Sequence, residues 1–536
     1  MKLGFLLARG RRVTAFLCAG ILLASFVLSG CGHKSTVGRD TLVVIIPGDA
    51  TTLNPIYMQD ASSAEIQQFI FDSLAELGPG FRLIPGLATS WHDTPDHLHW
   101  IVQLRHGVRW SDGVPFTSAD VVWMWKTMLD PATAYPYLGQ VTFLKDVQAE
   151  GPDTVRFDLK SPNALFVLNV LGWSVIPKHI LSKYTPHEQL GTDFSEHPIG
   201  TGPYVLDQWQ HDDSISLKPN PYWWGGRAKI PHLLYRVVFN NESANQALLN
   251  GDAQIIDALP STAAFELRGK PGIKIIQSPS LYVEAFFPNL RRPGFNENAV
   301  LQAMTYGWDR AGVTGGLYHG NDIVATGIET PALIDWYDPH VHQYPYDPEK
   351  ARALLNNAGW KLGPHGIRTK NGKRLAYTVL SADRTGDGTD RLAEFQADMQ
   401  TIGIGISIQL IDGTSFNEIA NNGKFDLLEE GWGGEADPDQ YTFLDSSQVP
   451  PIGNNYMHYS DPAVDKDLRL GLTTIDPRKR KIIYDDMQRR TSEHLPIIYA
   501  YYPFSRIAIS SRVLIPPGTL FPGSIYYNIG DWKLAP

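Results

Sequence analysis

Hydrophobic and polar positions alternate most sharply just after Ser90. Leu98, Trp100, Val102 and Leu104 fall on one side of an extended chain while His99, Gln103 and Arg105 fall on the other, the period-two pattern of a strand with one face buried. Ser111-Asp112-Gly113 then supplies turn chemistry. Thr117 stands three residues before Asp120, the spacing of a capping box at a helix start. Val121, Val122, Trp125 and Met128 recur at helical spacing until Asp130-Pro131, where a helix must stop. Strand, turn and helix are predicted in that order.

The same reading extends along the chain. Residues 41–46 (TLVVII) form a buried strand, 49–55 a loop and 64–74 a helix. Residues 81–196 read as one α+β unit with a hairpin over 147–159, an apolar run over 164–176 and no catalytic constellation. Gly200, Gly202 and Pro203 predict a tight turn, and Tyr204 and Leu206 pair with Ile215 and Leu217 across Asp212-Asp213. This cluster lacks the Lys-Ser/Thr ending and following helix of a phosphate loop, so its glycines are read as backbone geometry. Strand, helix and strand over 233–239, 242–250 and 253–256 imply a parallel pair with a crossover helix. Asp347-Pro348 opens a helix that Gly359 closes, with Ala351, Leu354, Leu355 and Ala358 on one face. Residues 375–381, 391–402 and 404–411 spell the clearest β-α-β unit, followed by a helix over 415–421 and a strand over 425–430.

The residues just past that last strand bear on function. Ligands of open α/β sheets sit beyond the carboxyl ends of strands, and here the strand runs into Gly431-Trp432-Gly433-Gly434-Glu435-Ala436-Asp437-Pro438-Asp439. Glycines admit a close ligand backbone, an indole offers an apolar wall, and a carboxylate pairs with an ammonium. The plain alternative is a solvated acidic turn in which Asp437-Pro438 opens the next helix.

Length and composition narrow the classes. A chain of 536 residues exceeds one ordinary core, so two or three domains are expected. Lys2, Arg9, Arg11 and Arg12 precede an apolar run over 13–30, the form of an export signal. Removing that leader takes the net charge from −10 to −14, which leaves no electrostatic case for nucleic acid. Cys18 lies in the leader and Cys31 directly follows it, so the remainder has no cysteine for a disulfide, thiolate site or nucleophile. Acid pairs such as Glu429/Glu430 and Asp212/Asp213 are adjacent and poorly placed for acid/base work, and no Gly-x-Ser-x-Gly motif occurs. An exported hydrolase is therefore a distant alternative, and no enzyme is expected. His97 and His99 share one outward face without further ligands nearby, so no metal is expected.

The run LRHGVRWSDGVPFTSADVVW, residues 104–123, resembles the signature region of the family 5 extracytoplasmic solute-binding proteins, the peptide-binding subunits of ABC importers. The stretch over 197–224 and the helix and strand over 482–499 are similar to the same family, and such wording covers most of 41–505. Leu28-Ser29-Gly30-Cys31 is similar to a lipobox, which implies diacylglycerol on Cys31, a lipidated tether over 31–40 and a location on the outer face of the cytoplasmic membrane or in the periplasm. An uncleaved membrane helix is the alternative.

The resemblance implies an α/β, mixed α+β, periplasmic-binding-protein-like type II bilobal fold with the extra domain of the large peptide-binding members. Domain I would comprise 41–80, 197–281 and 500–536, domain II 81–196, and domain III 282–499, with crossing strands near 279–289 acting as hinges. In peptide-binding relatives an Asp three residues after a Gly-Trp holds the peptide α-amino group. Here Glu435 takes that place with its longer arm, beside Trp432 and Gly433. The segment is one residue shorter than in the dipeptide-binding branch, which puts Asp437 in competition. Asn54 and Tyr57 near the Leu-Asn-Pro loop, and Tyr282, Phe287 and Asn289 on the crossing segment, are further ligand candidates by resemblance. Arg291, Arg292 and Arg310 are candidates for the peptide's other end. The expected function is a lipid-anchored, monomeric peptide-binding subunit that delivers cargo to a permease and its ATPase, with no cofactor. The rival cargoes on the same fold are a nickel chelate, haem, glutathione or an oligosaccharide.

Overall fold

The computed structural model describes residues 38–320, 322–383, 386–517 and 526–535. The leader and the expected lipidation site at Cys31 lie outside the described residues, as does the tether up to residue 37. Two sheets dominate. The first has seven strands in the order Ile273–Pro279, Phe504–Ser510, Ile255–Ile256, Thr41–Ile46, His232–Val237, Ser214–Pro219 and Tyr204–Gln210. Thr41–Ile46 has parallel partners on both sides, which explains its unbroken Val/Ile/Leu run, buried from Leu42 onward. The strands on either side of helix Asn241–Asn250 are both parallel to Thr41–Ile46. They are not neighbours, because Thr41–Ile46 inserts between them.

The second sheet has six strands in the order Ile323–Val324, Ile498–Tyr502, Tyr282–Pro288, Leu427–Gly433, Ala376–Ser381 and Gly405–Leu410. Ala376–Ser381 and Gly405–Leu410 are parallel neighbours joined through helix Gly386–Thr401, the β-α-β unit expected from periodicity. The chain leaves the first sheet after Pro279, enters the second at Tyr282 and returns at Pro503. Ser280 Oγ donates to the Pro503 carbonyl at 2.6 Å, so the outgoing and returning segments are tied where they cross.

A four-stranded antiparallel sheet, in the order Ala88–Asp93, His99–Leu104, Thr154–Leu159 and Leu144–Ala149, packs against helix Ser118–Met128. Trp100, Val102 and Leu104 face inward, and the Asp120 carboxylate accepts from the Thr117 amide at 2.9 Å. This sheet shares one continuous apolar core with the seven-stranded sheet, whereas the six-stranded sheet has a core of its own. The molecule is therefore bilobal. Gly200 lies where a Cβ would come within 1.8 Å of the Ile70 carbonyl, a close backbone approach that only glycine permits.

Candidate functional site

Strand Leu427–Gly433 ends at the gap between the lobes. It was expected to stop at Glu430, yet Gly431, Trp432 and Gly433 continue it, opposite Glu284, Val283 and Tyr282. Pairing with the crossing strand overrides the turn tendency of the glycines, and the turn proper begins at Gly434, whose amide donates to the Leu281 carbonyl at 2.7 Å. A cavity of about 410 Å³ opens there. Trp432, Gly433, Glu435 and Gln440 line it from one lobe, and Gln140 and Asn163 from the other. The lobes touch beside it, where the Ala164 amide donates to the Leu472 carbonyl at 2.8 Å. Trp432 lies flat against Phe443, with centroids 3.7 Å apart, and its Nε1 donates to Gln440 Oε1 at 3.2 Å. The indole is thereby fixed as a wall.

The three carboxylates of the turn separate by environment. Asp437 takes both arms of Arg480 at 2.7 and 2.8 Å, in a largely buried, bidentate pair. Asp439 accepts from the Tyr441 amide at 3.2 Å, and burial, with the charge of Asp437 adding to it, pushes its carboxyl up to about 7. Glu435 reaches solvent at the gap and has no ion-pair partner among the described residues. Protein atoms crowding it raise its carboxyl above the ordinary range, Asp437 adds to this, and a hydrogen bond from Gln140 opposes it.

The other lobe lines the cavity with Gln140, Thr142, Phe143 and Asn163, and an aromatic cluster lies near enough to feel the charge of Glu435. Tyr135, Tyr137 and Trp173 pack within 5.4–5.8 Å of one another, and the charge of Glu435 raises both phenols further above their ordinary range after burial has done so. A carboxylate without an ion-pair partner among the described residues, on a cavity lined from both lobes, suits an ammonium. Sequence reasoning missed Gln140 and Asn163 on the cavity, the nearby aromatic cluster, and Arg480. The signal available was Tyr135-Pro136-Tyr137, two aromatics flanking a proline just past a helix end.

The structure brings Trp432, Gly433, Glu435 and Asp437 together on one cavity and puts the other candidates elsewhere. Asn54, Phe287 and Asn289 are at most 2% exposed. Asn54 accepts from the Ile56 amide at 3.2 Å, starting a short helical turn. Tyr57 is buried, and its hydroxyl donates to the Pro186 carbonyl at 3.3 Å. Phe287 meets Phe443 edge-on at 5.5 Å, behind the Trp432 wall. The Asn289 amide donates to the carbonyls of Gly423 and Phe425, both at 3.2 Å. Each spends its polar or aromatic surface on its own lobe. Tyr282 is 54% exposed beside the crossing. Arg310 is buried and donates to the carbonyls of Ala325, Tyr499 and Tyr344, while Arg292 pairs with Asp426 at 2.9 Å and Arg291 Nε donates to Asn289 Oδ1 at 3.3 Å. His97 and His99 each pair with an aspartate, Asp93 and Asp158.

The model of the bacterial extracellular solute-binding proteins, family 5 Middle, matches residues 82–454. The oligopeptide-binding protein AppA of Bacillus subtilis is 27% identical over 98% of this chain and 99% of its own. Its structure in complex with a nonapeptide superposes with a TM-score of 0.80 over 92% of this chain and 99% of that one. NikZ of Campylobacter jejuni, solved with Ni(L-His), is 25% identical and matches with a TM-score of 0.80 over 93% of this chain and 100% of that one. The glutathione-binding protein GsiB of Shigella flexneri is 27% identical over 89% of this chain and 91% of its own.

Proposed function

The chain belongs to the bacterial extracellular solute-binding proteins, family 5, and from that premise we propose that it captures peptides by their free amino terminus and hands them to an ABC permease. The observation that carries this reading is Glu435, a carboxylate at the interlobe cavity without an ion-pair partner among the described residues, with Gln140 and Asn163 of the other lobe on the same cavity. A peptide ammonium entering the gap supplies the missing charge. Trp432 then walls the first side chain, and the exposed Gly433 leaves its backbone open to main-chain contacts that are indifferent to side-chain identity. Asp437 is engaged by Arg480 and holds the turn in shape.

AppA, bound to a nonapeptide, supports peptide cargo. NikZ with its nickel chelate and GsiB with glutathione mark the rival cargoes. In this reading the protein is a monomer tethered through diacylglycerol on Cys31 to the outer face of the cytoplasmic membrane, and lobe closure is the signal read by the permease and its ATPase. Native mass spectrometry of protein purified without denaturation tests it. A heterogeneous set of peptides with free amino termini is expected, and a single metal chelate, glutathione, haem or an oligosaccharide in their place would reject peptide cargo. Intact mass of the membrane-extracted protein is expected to show cleavage before Cys31 and an added lipid.

A further inference from the structure

A second cavity, of about 440 Å³, lies between the end of helix Ala61–Ile70, the hairpin Ala75–Leu77 and Leu83–Pro85, and the carboxyl-terminal tail. It shares no lining residue with the cavity at Glu435. Its walls are aromatic, with Phe71, Trp223, Trp224 and Tyr526 among them, and two carboxylates, Asp72 and Glu76, face into it. The rings are held in place. Trp224 Nε1 donates to Asp72 at 2.8 Å, and Trp223 is packed so closely on Gly530 that a Cβ there would come within 2.5 Å of the ring.

One cation already stacks on a ring of this wall. The Arg105 guanidinium lies 4.0 Å from the centroid of the Trp224 ring and donates to the Gly86 carbonyl at 3.2 and 3.3 Å. Its charge acts on both Asp72 and Glu76. Glu76 makes no side-chain hydrogen bond and no ion pair among the described residues, and the Trp223 Nε1 is likewise buried and without a partner among them. Burial holds both carboxyls above their ordinary range against the opposing charge of Arg105. Burial pushes the Glu76 carboxyl up to about 8 while it has no ion-pair partner among the described residues. An organic ammonium entering the aromatic box draws it into the ionised form, because the ring faces attract the cation and the carboxylate so formed neutralises it.

We propose that this pocket is a second ligand site, separate from the interlobe cavity, that binds a small organic ammonium between Trp223, Trp224 and Glu76. Saturation-transfer NMR and calorimetry on the mature chain, with tetramethylammonium as the probe and tert-butanol as an uncharged control of similar size, test it. Tetramethylammonium is expected to bind and tert-butanol to bind at least tenfold more weakly. Glu76→Gln, which keeps size and shape, is expected to weaken the probe at least tenfold when made in a Glu435→Gln background, where the interlobe cavity offers the probe no carboxylate at that position and the remaining binding reports the second pocket. No binding to the wild-type chain, equal binding of the uncharged control, loss of the probe on Glu435→Gln alone, or unchanged binding when Glu76→Gln is added to it would each overturn the proposal. A crystal soaked in the probe gives a reading that needs no variant, with density expected against the two indoles.

Discussion

At the scale of single residues, the turn after Leu427–Gly433 sorts three acids into three states. Glu435 must be ionised to hold an ammonium, and its carboxyl is raised. Peptide affinity is therefore expected to fall as pH drops through that raised value, by up to tenfold per unit below it, and a calorimetric titration series checks this. Glu435→Gln is expected to cost roughly 2 kcal/mol of binding, the worth of a hydrogen bond to a charged group, with the thermal unfolding curve unmoved. Asp437→Asn is expected to act the other way round. It leaves the Arg480 guanidinium buried against a neutral partner and destabilises the fold by about 3 kcal/mol, with a smaller effect on ligand, as read by denaturant unfolding beside calorimetry. Glu284 and Glu430 add a pH signature, since burial lifts both to about 7 from an ordinary 4.5. Between those values the native state holds protons that the unfolded chain has released, so stability declines as pH rises from 5 to 7.5. Each group contributes up to about 1.4 kcal/mol per pH unit, and unfolding midpoints across that range measure the slope.

At the scale of elements, periodicity carried the strands and helices that bury one face, and lost its grip where pairing overrode local preference. The alternation at Leu98–Leu104 and the cap at Thr117 translate directly into structure, because solvent contrast and a local hydrogen bond decide them. Gly431-Trp432-Gly433 reads as a turn from composition, yet Tyr282, Val283 and Glu284 recruit it as strand. The site was half legible for the same reason. Trp432 and Glu435 stand in one short motif, but Gln140 lines the same cavity from some 300 residues away, and only the fold joins the two. Asn54 and Asn289, named as candidates by resemblance, are buried and serve backbone groups, a role that sequence alone does not separate from that of a polar residue offered to a ligand. Gly200 carries an element-scale prediction. Any side chain there meets the Ile70 carbonyl, so Gly200→Ala is expected to lower the unfolding midpoint by many degrees, as followed by circular dichroism, without touching Glu435.

At the scale of the whole molecule, two cores with two crossing segments between them make a clamp. The crossings meet at Ser280 and Pro503, and the lobes already touch at Ala164 and Leu472 and through Arg82 and Asp335, 3.7 Å apart. Ligand in the gap holds such contacts together, so small-angle scattering is expected to show a smaller radius of gyration when peptide is added to ligand-stripped protein. The amine-recognition claim beneath this picture has one direct test. A peptide recovered with the protein and its N-acetylated form are each titrated by calorimetry into the wild type and into Glu435→Gln. Acetylation is expected to weaken binding to the wild type at least tenfold and to make little further difference in the variant, since both changes remove the same ion pair. Equal binding of the two peptides to the wild type would contradict the account.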